Sequence, residues 1–252
     1  MTIALTIPRR CRRPLLAACM TAALAAAALA PLARPALAEG AWPLVFVTTD
    51  EGTQRLFGAD LKGDYVPLVT YMISEEVVTF CGPATVTIVA NSLGLPAPES
   101  TRWAPYHLWT EDELFEAAGQ KPKIFGEVMS AGLTLAELGQ FIENVGMTPQ
   151  VHFASDLSED SFREIVKATL ADPAKRLIVN YDRQEFGEIG TGHISPIGAY
   201  DAASDSVLIL DVARYKYPPK WVPLAGMLAA MMHDDPSSQK SRGTVVISLP
   251  ES

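Results

Sequence analysis

From about Lys175 the sequence changes texture, and that change limits the folds open to the chain. Arg176–Asp182, His193–Tyr200, Val207–Asp211 and Thr244–Leu249 are short runs rich in Val, Ile and Tyr, bounded by polar or Gly/Pro stretches, as strands require. Before that point the signals are helical. Val86, Val89, Ala90 and Leu93 fall on one helical face and Gly94 is placed to stop it. Thr134 with Glu137 three residues on starts a helix that runs to Gly146, and another fits Glu159 to Leu170. A last helix, about Leu224 to Met232, interrupts the strands. Helices followed by antiparallel strands make an α+β domain, read here as a helical lobe and a sheet lobe.

Residues 1–38 read as a secretory leader: Arg9, Arg10, Arg12 and Arg13, an apolar run from Leu15 to Ala30, and a small-x-small end at Ala36-Leu37-Ala38. Residues 39–252 are then one exported domain, with the bacterial periplasm as the expected compartment. Of the 20 Lys and Arg, the five in the leader, Arg34 included, leave with it, and 15 remain against 29 Asp and Glu, a net −14. Such a balance argues against binding nucleic acid or an anionic membrane.

Cysteine usage is equally restrictive. Cys11 and Cys19 go with the leader, so Cys81 is the one thiol of the mature chain. That excludes an intramolecular disulfide and every multi-cysteine metal site. Pro83 suits a first helical turn, so Cys81 lies at or just before a helix N-terminus. A helix N-terminus with an adjacent imidazolium lowers a cysteine pKa, so the thiol is either a packed core group or a nucleophile.

The strands at His193 and Val207 are joined by a polar turn, and a turn centred near residue 202 pairs His193 with Asp211. Histidine exchanges the proton and aspartate fixes its tautomer in a Cys–His–Asp arrangement. Each residue also has a plainer reading, as a satisfied strand histidine and a strand-end carboxylate. His107, His152 and His233 are not spaced as ligands, and no protein metal site is expected.

The wording around these residues resembles the catalytic domain of phytochelatin synthases. Phe80-Cys81-Gly82, the run Gly192-His193-Ile194-Ser195-Pro196-Ile197-Gly198, and the long string from Leu210-Asp211-Val212 to Trp221-Val222-Pro223 carry the resemblance, which extends from about Tyr65 to the C-terminus. It implies a papain-like cysteine peptidase fold with the site in the cleft between the lobes. It also implies Cys81 as nucleophile, His193 as general base and acid, and Asp211 as orienting partner. The implied reaction is γ-glutamylcysteinyl transfer: glutathione loses glycine, and the acyl group held on Cys81 passes to water or to a second glutathione. Asn180, Arg183, Asp235 and Arg242 match positions that contact the substrate. The resemblance implies no tightly bound cofactor, with cadmium or zinc acting as the glutathione thiolate, and leaves homodimerisation open.

One residue departs from the pattern. Where the family has a glutamine donating to the oxyanion, six residues before the cysteine, this chain has Glu75. Ionised, a carboxylate only accepts hydrogen bonds; protonated, it donates. The expectations are a slowed or altered enzyme, a Glu75 turned to solvent beside Glu76, or a non-catalytic thiol-peptide or metal-thiolate binder.

Overall fold

Thr134 accepts a hydrogen bond from the Glu137 N–H, and the Glu137 carboxylate accepts one from the Thr134 N–H. This reciprocal cap, worth about 1 kcal/mol, fixes the start of a helix that Gly146 closes in the left-handed region at φ 102°. Local signals of this kind set most of the architecture. The computed structural model describes residues 42–251, so the expected leader at residues 1–38 lies outside the described residues.

In chain order the elements begin with β1 (Val45–Phe46), α1 (Asp50–Gly58), α2 (Tyr65–Thr70), α3 (Cys81–Leu93), α4 (Glu111–Ala117), α5 (Phe125–Ala131) and α6 (Leu135–Val145). Then come β2 (Thr148–Phe153), α7 (Glu159–Leu170), β3 (Lys175–Asp182), β4 (Gly192–Asp201), β5 (Ser206–Ile209), β6 (Lys220–Pro223) and α8 (Leu224–Met232). A two-residue hairpin, β7 (Asp234–Asp235) and β8 (Lys240–Ser241), leads into β9 (Gly243–Ser248). The fold is α+β. Seven strands form one antiparallel sheet in the order β1-β6-β5-β4-β3-β9-β2. Its edges are the two-residue β1 and the Pro149-bearing β2.

Both faces of this sheet are covered, so a helical lobe set beside a sheet lobe is too simple a picture. Along β3, Leu177, Val179 and Tyr181 pack with α7 and α8, and the alternate Ile178 packs with α3 and α6. That alternation is the two-residue period of a strand buried on both sides. Helix α3 also differs from a one-faced expectation. Every residue from Cys81 to Ala90 is buried, so the helix runs through the core. Its polar Thr85 and Thr87 are satisfied by the carbonyls of Ile194 and Pro83. Gly94 ends it at φ 73°, as the sequence predicts.

Among the described residues no helix is long and apolar enough to cross a membrane.

Candidate active site

The first turn of α3 is pressed against the start of β4. Thr85 donates to the Ile194 carbonyl at 3.1 Å, and a Cβ on Gly82 would come within 3.1 Å of the Leu133 side chain and 3.4 Å of Ile194. This close approach brings Cys81 beside His193. A ligating atom of Cys81, of His193 and of Glu75 all lie within 4.8 Å of one another. They line a cavity of about 360 Å³ together with Asn180, Arg183, Asp235 and Arg242.

On its other side His193 Nε2 lies 3.0 Å from Asp211 Oδ1, although not by the register expected. Asp201 pairs with Ser206 and Ile197 with Ile209, across a bulge, and β5 ends at Ile209. No ladder pair joins His193 to Asp211. The chain continues past β5, with the Leu210 N–H bonded to the Pro196 carbonyl at 3.0 Å, and this delivers Asp211 to the imidazole. The turn lies further along than residue 202, and the bulge recovers only part of the offset, so Asp211 meets His193 from beyond the end of β5 and not as its ladder partner.

Five donors converge on the two oxygens of Asp211. Besides His193 they are both Nη atoms of Arg183 at 2.7 and 2.8 Å, the Ala213 N–H at 2.9 Å and Lys220 Nζ at 3.3 Å. Glu188 closes the network, accepting from Arg183 Nη1 at 2.9 Å and from Lys220. Two acids and two bases thus neutralise one another behind the histidine, all of them buried. Burial opposes ionisation of Asp211, but its bonds to His193 and Arg183 hold it well below the usual carboxylate range.

Electrostatics on the cavity side run the other way. Burial pushes the Cys81 thiol up to about 12, with the Glu75 charge adding to the rise. Burial also pushes the His193 imidazole down to about 4, against the pull of Asp211. Both shifts favour the neutral thiol and imidazole, against the lowering expected of a cysteine at a helix N-terminus. Desolvation outweighs the helix end here.

Glu75 does not turn to solvent. It is 6 % exposed, and Tyr215 Oη donates to its Oε1 at 2.6 Å. Its Oε2 is buried with no hydrogen-bond partner among the described residues. Burial raises its pKa, only partly offset by Tyr215 and Arg183.

The expected substrate contacts separate. Asn180 lines the cavity from β3, one residue before Tyr181, the ladder partner of His193. Arg183 also borders the cavity, and Asp211 and Glu188 engage both of its Nη atoms in a buried ion pair. Arg242 Nη1 is anchored by the carbonyls of His233 and Asp234 at 2.9 and 3.0 Å, while its Nε is buried without a partner among the described residues. Asp235 forms the hairpin turn, its Oδ1 accepting from the Ser237 N–H at 2.8 Å. Lys220 and Glu188 escaped sequence reading. The usable signal for Lys220 was a charged residue next to Trp221 and Val222 in an apolar strand, a place that demands a buried partner.

An α+β sheet carrying a cysteine at a helix N-terminus, against a histidine backed by a buried aspartate, defines the class of this protein. A family model described as Phytochelatin synthase matches residues 41–244. The chain belongs to the phytochelatin synthase family. Similar curated proteins include glutathione gamma-glutamylcysteinyltransferase 1 of Lotus japonicus, 32% identical over 82% of this chain and 41% of the relative. Glutathione gamma-glutamylcysteinyltransferase 2 of Arabidopsis thaliana is 32% identical over 82% of this chain and 45% of the relative. The Schizosaccharomyces pombe glutathione gamma-glutamylcysteinyltransferase is 28% identical over 73% and 43%. The chain thus spans less than half the length of these relatives.

Proposed function

We propose that this chain is a cysteine-dependent γ-glutamylcysteinyl transferase and hydrolase acting on glutathione, with a papain-like arrangement of its site. The observation that carries the reading is the Cys81–His193–Asp211 constellation opening on one cavity, in a member of this family. Asp211, held ionised, accepts from Nε2–H of His193, which leaves Nδ1 as the basic nitrogen. Cys81 Sγ attacks the carbonyl of the cysteinyl–glycine bond as its proton passes to Nδ1. The C–N bond then breaks, and glycine leaves with that proton on its amine. The thioester on Cys81 is next attacked by water, giving γ-glutamylcysteine, or by the amine of a second glutathione, giving a phytochelatin. His193 takes up the acceptor's proton and returns it to the thiol.

Asn180 and Arg242 supply polar groups for the γ-glutamyl end, with Asp235 positioning the hairpin beside them. Glu75 acts on the oxyanion side, donating only in its neutral form. Cadmium or zinc enters as the glutathione thiolate. The leader motif supports export to a periplasm.

The test is glycine release from glutathione by the mature protein, with Cys81→Ala alongside and mass spectrometry of the products. Release that the substitution removes, at a fold unchanged by circular dichroism, supports the reading, and product masses assign the acceptor. No glycine from the wild-type protein, with or without cadmium, overturns it and leaves a thiol-peptide binder.

A further inference from the structure

Three donor atoms meet at the mouth of α3: the Cys81 thiol, a ring nitrogen of His193 and a Glu75 carboxylate oxygen, within 4.8 Å of one another. Sulfur, imidazole and carboxylate are the ligand types of zinc, which in open sites takes three protein ligands and leaves a fourth position to solvent. Glu75 lies in the segment before α3, Cys81 begins α3 and His193 lies on β4, so the fold assembles the three.

Two of the three are also oriented from behind. His193 Nε2 is held by Asp211, the carboxylate–histidine support that metal-ligating imidazoles need. Glu75 Oε1 is held by Tyr215 Oη at 2.6 Å, so the carboxylate is fixed in place. Glu75 Oε2 is a polar atom without a hydrogen-bond partner among the described residues, on a side chain that is 6 % exposed and faces the cavity. An unpartnered oxygen in such a place costs free energy that a ligand would relieve.

We propose that Cys81, His193 and Glu75 form a three-ligand site for a thiophilic divalent cation of the zinc class, with the cavity supplying the fourth position. Coordination replaces the thiol proton, which leaves to solvent, and the sulfur lone pair then belongs to the metal. The bound cation masks the nucleophile, so free metal and acyl transfer exclude one another. Metal whose four positions are already filled by glutathione thiolates does not compete. Binding stands on the geometry alone; the masking of turnover rests on the function proposed above.

The test uses the mature protein and Co²⁺, whose absorption reports ligand type and geometry, followed by displacement with Zn²⁺. One equivalent of Co²⁺ should give a thiolate-to-cobalt band and the intense visible bands of a four-coordinate ion. Cys81→Ser should lose the thiolate band, and Glu75→Gln should bind at least tenfold more weakly. On the wild-type protein Zn²⁺ should protect Cys81 from iodoacetamide, reversibly with chelator, and this holds whether or not the protein releases glycine. A cobalt spectrum with no thiolate band, an affinity unchanged in Glu75→Gln, or alkylation indifferent to Zn²⁺ would each overturn the site.

Discussion

Arg183 and Arg242 line the same cavity, and the family resemblance assigns both to the substrate, yet the fold uses them differently. Arg183 has both Nη atoms on buried carboxylates, in a cluster where Asp211, Glu188 and Lys220 complete the neutralisation. Arg242 is anchored through Nη1 by two carbonyls, with Asp182 at 3.5 Å and its Nε unpartnered among the described residues. One guanidinium is part of the scaffold that holds the histidine; the other keeps bonding capacity at the cavity. A buried arginine is thus assigned by what already occupies its fork, and the residue type alone does not decide it.

The largest effect that would sharpen this contrast is on stability. Arg183→Met leaves Asp211 and Glu188 with only Lys220 between them, and should cost about 3–5 kcal/mol in a urea melt. Unchanged stability with a raised KM would put Arg183 on the substrate and erase the distinction.

Next in size is Glu75→Gln, because Glu75 feels Arg183 and lies beside Cys81. The Glu75 pKa is raised, so its donating neutral form is lost as pH climbs through that value, and wild-type turnover should fall in the same direction. The glutamine variant donates at every pH and should gain up to roughly 10²–10³ at the alkaline end, with little change at the acid end. A pH–rate profile checks this, and parallel profiles would remove Glu75 from the oxyanion side.

Arg242→Gln should raise KM for glutathione about ten- to hundredfold, equivalent to about 1.4–2.7 kcal/mol, with kcat little changed and a stability loss smaller than that of Arg183→Met. The smallest effect belongs to Gly192. A Cβ there would sit 3.0 Å from Arg242 Nη2 and 3.2 Å from its Nε. Gly192→Ala should therefore displace the guanidinium and raise KM by roughly threefold to tenfold, about 1 kcal/mol. A variant indistinguishable from wild type would show that the placement of Arg242 is not critical.

Local chemistry makes much of the fold legible in the sequence. Helices α7 and α8 fall on the expected residues, Glu159–Leu170 and Leu224–Met232, and β3, β4 and β9 differ from expectation by about a residue. Short elements were lost. β6 hides behind Pro218-Pro219, and β1 has only two residues, too few for a periodicity. The meeting of His193 with Asp211 was expected from a register that the Asp201–Ser206 pairing does not allow, because the turn is centred beyond residue 202 and the bulge at Ile197 and Ala199 only partly compensates. A one-residue irregularity has no sequence signature, yet it decides which face a side chain takes. The ionisation of Cys81 was also out of reach, since it depends on how completely α3 is enclosed. Lys220 and Glu188 stayed hidden for a related reason: their partners are long-range, and only the closed sheet brings them together.

The two edges of the sheet have a further consequence. An exposed, regular edge strand offers a row of unpaired amides on which a second chain can crystallise into β-structure. Here one rim is β1, with only Val45 and Phe46 to offer, and the other is β2, where Pro149 interrupts the donor row. A seven-stranded sheet so rich in valine and isoleucine would otherwise be an aggregation template. Its blunted rims disfavour strand-by-strand recruitment of its own copies.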